Sequence, residues 1–321
     1  MWNQIILITG GCGFIGSNLI ERLIKDKNNL VLCIDNLITG SETNIKQFID
    51  KDITNFRFLE WDICNPVNKL VEWIGDTHLT QIYHLASLAS PIKYQLYPIQ
   101  TLLTSINGTQ RVLELCIKYK CSMLFTSTSE IYGDPLVHPQ PEEYWGNVNT
   151  MGPRSCYDEG KRVCETLIYE YNKVYNLDCK IVRLFNTYGP KMALDDGRVI
   201  TNFIGKILEN KPVQIYGTGE QTRSFCFIDD MLEGLISMMG SNELGPINLG
   251  NDTCEFTLNE IVRVFERVLG RKVQVEYLEG TLDDPKVRKP VLTKAKDRLG
   301  FKCVVGLDDG IKKTCNWFEL K

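Results

Sequence analysis

The chain has 321 residues, 43% of them hydrophobic and 24% charged, so it can bury a full core and is long enough for one large domain plus a smaller companion. Thirty-six Lys and Arg against 40 Asp and Glu leave a formal charge of −4, which argues against a nucleic-acid coat and leaves room for a small anionic substrate met by local arginines. No apolar run approaches the roughly 18 residues of a membrane span, and Met1-Trp2-Asn3-Gln4 carries no charged leader, so a soluble cytoplasmic protein is expected.

The first half alternates short β-branched runs with amphipathic stretches, the pattern of βαβ units feeding a parallel sheet. Strands are predicted at residues 5–9, 30–35, 56–60, 81–85, 123–127 and 180–184. Helices are predicted at 14–24, 112–119 and 158–175, the last with Val163, Cys164, Leu167, Ile168, Tyr171, Val174 and Tyr175 at helical spacing. The second and third of these helices are the candidate surfaces of a homodimer. Beyond about Asn186 the texture turns to Gly-, Pro- and Asp-rich loops with shorter elements, suited to a substrate-binding part. Residues 225–239 read as a strand and helix that return to the first domain. The expected fold is α/β: a Rossmann-type doubly wound parallel sheet, formed by 1–188 with 225–250 returning to it, and a smaller C-terminal α/β domain formed by 189–224 and 251–321.

The 12 cysteines are scattered through apolar runs with no C-x-x-C pair, so they read as reduced, small hydrophobic fillers. His78, His84 and His138 stand in no metal-like spacing with them, and no metal is expected.

Thr9-Gly10-Gly11-Cys12-Gly13-Phe14-Ile15-Gly16 closes the first predicted strand and opens the first helix. In that context Gly10 permits the tight turn, Gly13 lets the backbone approach a pyrophosphate, and Gly16 permits close helix packing, while the helix N-terminus offers amide donors to the phosphates. Asp35 ends the second predicted strand, where its carboxylate can take both ribose hydroxyls of a dinucleotide. No arginine follows it in Asp35-Asn36-Leu37-Ile38-Thr39-Gly40, which favours NAD over NADP. Asp62-Ile63, after the third strand, is placed to meet the adenine.

Tyr157-Asp158-Glu159-Gly160-Lys161 puts a phenol and an ammonium on one helical face. With Lys161 and a cationic nicotinamide beside it, Tyr157 can act as a phenolate that takes a proton from a sugar hydroxyl while hydride leaves the same carbon. Thr128-Ser129-Glu130 follows the fifth strand at the carboxyl edge of the sheet, where the Thr128 hydroxyl can bridge Tyr157 and substrate and Glu130 can accept or shuttle a proton.

Longer stretches go further: His84-Leu85-Ala86-Ser87, Ser127-Thr128-Ser129-Glu130-Ile131-Tyr132-Gly133-Asp134-Pro135, Tyr144-Trp145-Gly146-Asn147-Val148-Asn149, Cys156-Tyr157-Asp158-Glu159-Gly160-Lys161-Arg162, Arg183-Leu184-Phe185-Asn186-Thr187-Tyr188-Gly189-Pro190, Asp196-Gly197-Arg198-Val199, Gln221-Thr222-Arg223-Ser224-Phe225 and Asp283-Asp284-Pro285. Through them nearly the whole chain resembles the extended short-chain dehydrogenase/reductase family, and within it the branch that decarboxylates UDP-glucuronate. The resemblance implies a bound NAD, UDP-glucuronate as substrate, and UDP-xylose and carbon dioxide as products by way of a 4-keto intermediate, with the hydride returned so that no cofactor is consumed. It implies Thr128, Glu130, Tyr157, Lys161 and Arg288 as catalytic residues. It places Phe14, Ile15, Asn36, Ile38, Thr39, Gly40, Leu85, Ser87, Thr104 and Thr187 at the cofactor with the glycines, Asp35, Asp62 and Ile63. On the substrate it places Asn186, Arg198 and Arg223 at the diphosphate and uridine, Tyr216 and Gln221 near the uracil, and Ala89, Tyr94, Arg154 and Arg288 at the sugar. Ser129 stands where sugar-nucleotide 4,6-dehydratases carry an acid, which separates the chain from them. A 4-epimerase, or a non-catalytic NAD-binding sensor, are the competing readings. Leu103 and Leu88 depart from the branch pattern of a lysine and a proline.

Overall fold

The structure, a computed structural model, describes residues 2–51, 53–280 and 287–320; Asp283-Asp284-Pro285 lies outside them. Six parallel strands come from residues 4–184: β1 (Gln4–Thr9), β2 (Asn29–Asp35), β3 (Phe56–Glu60), β4 (Gln81–His84), β5 (Ser122–Thr128) and β6 (Cys179–Leu184). The strand Ile247–Leu249 adds a seventh beside β6, giving the order Ile247–Leu249, β6, β5, β4, β1, β2, β3. The order reverses between β1 and β4, so a crevice opens there at the carboxyl ends, where Thr9 pairs with His84.

Alternation along each strand sends neighbouring side chains to opposite faces. Ile6, Ile8, Val31, Cys33 and Leu124 join one core cluster, and Leu7, Leu32, Ile34, Met123 and Phe125 the other. The second cluster is closed by helices Thr109–Tyr119 and Ser155–Tyr175 through Val112, Leu113, Cys116, Cys164 and Ile168. The first runs on from helix Phe14–Leu23 through Ile228–Gly240 to Phe203, Ile261, Phe265 and Ile311, so the sheet and the C-terminal part share one continuous core.

Residues 225–239 form a strand and a helix as expected, but the strand, Cys226–Phe227, pairs with Thr187–Tyr188 rather than with the main sheet. The C-terminal part is also richer in helix than its loop-like texture suggests, with Val199–Leu208, Leu258–Leu269 and Leu307–Trp317. Leu258–Leu269 is held by a capping box, in which Thr257 Oγ1 accepts the Glu260 N–H at 3.1 Å and Glu260 accepts the Thr257 N–H at 2.8 Å. Helix Ser155–Tyr175 begins three residues before the predicted start, which brings Tyr157 into its first turn. All 12 cysteines are free thiols, most of them buried. Among the described residues no helix is long and apolar enough to cross a membrane, and no three His, Cys, Asp or Glu side chains are grouped to hold a metal ion.

Candidate active site

A cavity of about 670 Å³ occupies the crevice and reaches from the first glycine loop to Tyr157 and Arg198. At its floor the backbone itself is the binding surface. Gly10 sits at φ +71°, and a Cβ there would stand 2.7 Å from the Ala86 nitrogen; a Cβ on Gly16 would stand 2.3 Å from the Gly10 carbonyl oxygen. Only glycine at both positions lets the loop fold under the helix, whose first residues, Phe14, Ile15 and Gly16, line the cavity with N–H groups that have no intrahelical partner.

Asp35 lies beside this loop, its Oδ2 accepting the Cys12 N–H and its Oδ1 the Leu37 N–H, each at 2.9 Å. Burial nonetheless holds its carboxyl above the usual range, so the group is poised to gain from further hydroxyl donors. Asn36, Ile38, Thr39, Ile63, Leu85, Ser87, Thr104 and Thr187 line the same cavity. Ser87 Oγ is buried without a hydrogen-bond partner among the described residues, a polar atom awaiting a ligand. Gly40 and Asp62 stand one layer back, Gly40 against the Asp35 carboxylate and Asp62 accepting from Asn36 Nδ2 at 3.1 Å. The glycine floor, the paired-up aspartate and the orphaned hydroxyl together fit a dinucleotide.

The reacting end is built by β5, the turn Ser129–Tyr132 and helix Ser155–Tyr175. Tyr157 is buried and stacked face to face on Tyr94, with centroids 5.2 Å apart and planes within 5°. Burial pushes its phenol up to about 12, against the Arg198 charge and the Thr128 hydroxyl. Lys161 donates to the Thr126 carbonyl at 2.8 Å and sits 5.9 Å from the Tyr157 ring; burial pulls its ammonium down to about 8, with Cys164 and Glu165 opposing. Burial thus works against the charged form of both groups. His84 is buried between Thr9 and Thr109, and burial, followed by the Lys161 charge, pushes its imidazole down to about 3, so it stays neutral.

Glu130 is gripped from two sides: Arg154 donates to Oε2 at 2.7 Å and Arg288 to Oε1 at 2.9 Å. Burial opposes its charge, but Arg288, Arg154 and Arg223 outweigh burial and hold the carboxyl at about 2. As arranged here, without a sugar in the cavity, Glu130 is an anion held between two guanidinium groups. Arg288, only 2% exposed, lies behind Glu130 and does not line the cavity; it also donates to Ser129 Oγ at 3.0 Å and Gly133 O at 2.9 Å. Asp158 is buried beside this cluster, and burial and then the Glu130 charge push its carboxyl up to about 8.

Ala89, Tyr94, Arg154, Asn186 and Arg198 line the cavity, and Tyr94 Oη is a second buried hydroxyl without a partner among the described residues. Tyr216, Gln221 and Arg223 do not line it; Gln221 Nε2 donates to the Tyr216 carbonyl at 2.7 Å, and Arg223 lies on the strand Thr222–Ser224. Of the two departures, Leu88 is buried in the cavity wall and Leu103 stands half-exposed outside it. Sequence reasoning missed Lys191, which lines the cavity at φ +69° with its ammonium on Glu21 at 2.5 Å, and gave no sign that Lys93 pairs with Asp195 at 3.0 Å while Ser90 Oγ donates to the Asp196 carbonyl at 2.7 Å. Neither leaves a local sequence signal, since one depends on a backbone conformation and the other on loops a hundred residues apart.

A crevice at the switch point of a doubly wound sheet, floored by glycines and ending in a Tyr-Lys-Thr cluster, defines an NAD-dependent oxidoreductase-type site. Residues 6–250 match the NAD dependent epimerase/dehydratase family, to which the chain belongs, and NAD is its cofactor. Over 319 residues it is 45% identical to UDP-glucuronic acid decarboxylase 5 of Arabidopsis thaliana, covering 99% of this chain and 90% of that protein. It is 44% identical to UDP-glucuronic acid decarboxylase 1 of Xenopus tropicalis, covering 98% and 72%. Among solved structures it is similar to UDP-glucose 4-epimerase of Thermotoga maritima with UDP-glucose, at TM-score 0.89 and 27% identity, covering 98% and 99%. UDP-glucuronic acid 4-epimerase of Bacillus cereus with UDP-glucuronic acid and NAD follows at TM-score 0.88 and 28% identity, with the same coverage.

Proposed function

We propose that this protein converts UDP-glucuronate to UDP-xylose and carbon dioxide. One observation carries the reading: a hydroxyl-oxidising cluster of Tyr157, Thr128 and Lys161 shares its end of the cavity with the Arg154–Glu130–Arg288 charge cluster, a pairing suited to a sugar that bears a carboxylate next to the carbon being oxidised. Names of relatives matching nearly the full chain support it.

NAD, when bound, accepts hydride from the sugar C4 and later returns it. Gly10, Gly13, Gly16 and the amides of Phe14 and Ile15 would hold its pyrophosphate, and Asp35 its ribose. Tyr157 Oη receives the C4 hydroxyl proton, with Thr128 Oγ1 fixing that hydroxyl and Lys161 holding positive charge below the phenol. Oxidation at C4 makes the substrate a β-keto acid, so the bond to the carboxylate breaks with its electrons taken into an enolate; a solvent proton then enters at C5, and Tyr157 gives its proton back to the C4 oxygen. Arg154 orients the carboxylate, Arg288 backs it through Glu130, and Tyr94 Oη meets the sugar. Residues 1–188 with 225–250 serve the cofactor, and 189–224 with 251–321 the nucleotide sugar, where Arg198, Asn186, Arg223, Tyr216 and Gln221 take the diphosphate and uridine.

The chain acts as a homodimer through helices Thr109–Tyr119 and Ser155–Tyr175, a reading supported by Tyr169 and Val174, 62% and 68% exposed on the second helix. Free thiols suit a reducing compartment, the cytoplasm. Proton NMR of the protein with UDP-glucuronate and NAD tests the reaction: UDP-xylose without net NADH is expected, whereas epimerisation of UDP-glucuronate or turnover of UDP-glucose alone rejects it. A monomeric sedimentation profile rejects the dimer.

A further inference from the structure

One buried ion pair lies outside the cavity but touches every element that carries a reacting side chain. Glu165 sits one helical turn beyond Lys161 and accepts from Ser127 Oγ at 2.5 Å, from Arg183 Nε at 3.0 Å and from its second terminal nitrogen at 2.7 Å. Arg183, on β6, turns its remaining nitrogen to Tyr132 Oη at 3.0 Å and the Glu142 carbonyl at 2.9 Å, with its guanidinium 5.2 Å from the Tyr132 ring centre. Tyr132 ends the turn that begins at Ser129 and contains Glu130, and Ser127 is the neighbour of both Thr126, which holds Lys161, and Thr128. Tyr132 in turn donates to Asn248 on the seventh strand at 2.9 Å. Both charged side chains are nearly buried, at 10% and 14% exposure, and the fork-to-carboxylate geometry is the kind that tolerates little movement.

We propose that Glu165 and Arg183 are positioning residues for the reaction: their ion pair locks the end of β5, the Glu130 turn and the Tyr157–Lys161 helix into one register. Such a lock matters because misplacement of reacting groups by about 1 Å costs about a hundredfold in rate. Glu165 has a second effect through its charge. The groups acting on the Lys161 ammonium are Tyr157, Cys164 and Glu165 on its own helix, His84 on β4, and the Thr126 carbonyl and Phe125 ring on β5. Of these, His84 is neutral and Glu165 is the anion, so removing the Glu165 charge makes Lys161 lose its proton at lower pH.

The kinetic half of the test rests on the proposed decarboxylation, and a labelling half does not. In the NAD-loaded enzyme, Glu165→Gln is expected to move the alkaline limb of kcat to lower pH, with KM within about twofold. Competitive labelling of Lys161 by acetic anhydride, without substrate, is expected to show the same displacement of its midpoint. Arg183→Lys, which keeps the charge and loses the fork, is expected to cut kcat about tenfold at nearly constant KM. A Glu165→Gln protein whose kcat limb and labelling midpoint both match wild type, with only a lower melting temperature, overturns the proposal. If that variant does not fold, Ser127→Ala leaves the ion pair intact and frees β5: a several-fold loss of kcat at near-native melting temperature supports the lock, and wild-type kcat overturns it. Wild-type protein that makes no UDP-xylose refutes the reaction, while the labelling midpoint still decides the role of Glu165.

Discussion

The two ends of the cavity are built from different materials. The cofactor end is backbone: glycine positions that admit no Cβ, helix N–H groups, and a single aspartate held by two main-chain donors. The sugar end is side-chain charge: Glu130 held between Arg154 and Arg288, and a phenol and an ammonium displaced in opposite directions by burial. Steric fit at the first end leaves no room for adjustment. Charge balance at the second responds to pH, salt and bound ligand, which is where a family sharing one cofactor can vary its chemistry.

The sharpest way to separate the ends is Tyr157→Phe, which keeps the ring stacked on Tyr94 and removes only the proton acceptor; kcat is expected to fall about 10³-fold while NAD stays bound, measured by turnover and by cofactor retention on gel filtration. Next, Glu130→Gln removes the anion that Arg154 and Arg288 share and is expected to cost about 3 kcal/mol of stability in urea unfolding at neutral pH. Its pH signature has a definite sign. Glu130 is depressed from its ordinary 4.5 to about 2, so its contribution is full above the ordinary value and is lost as pH falls toward the folded one. The melting curves of wild type and Glu130→Gln should accordingly converge on acidification through that window; a gap that stays constant contradicts the charge-balance account. At the opposite end, Gly16→Ala is expected to weaken NAD about 30-fold, or about 2 kcal/mol, by titration of the refolded apoprotein, with no pH dependence of the effect. The smallest change is expected for Lys93→Ala: its pair with Asp195 is exposed, so stability should move by under about 1 kcal/mol and the difference should vanish in high salt.

This contrast also explains what was legible in the sequence. Strands β1 to β6 and the glycine loop depend on local periodicity and on residues within one turn, and the structure has them within a residue or two of the predicted bounds. The helix Leu258–Leu269 was equally local, marked by its capping box, but was submerged in a Gly- and Pro-rich context. Tyr157 and Lys161 are visible as a four-residue spacing, yet their protonation is not, because burial sets it and burial is a property of the whole fold. Arg288 meets Glu130 across 158 positions and Arg183 meets Glu165 across 18; neither partner can be chosen from the sequence by spacing. The same holds for Gly40 and Asp62, which the family resemblance places at the cofactor and the structure sets one layer behind it.

In the proposed reaction one carbon of the sugar is oxidised and then reduced again within a single cavity. Turnover of UDP-glucuronate carrying deuterium at C4, followed by NMR and mass analysis of the sugar nucleotide, tests it most directly. UDP-xylose that keeps the deuterium at C4, and gains solvent hydrogen only at C5, is the predicted result. Loss of the C4 label to solvent, or a product that retains its carboxylate with C4 inverted, would contradict it.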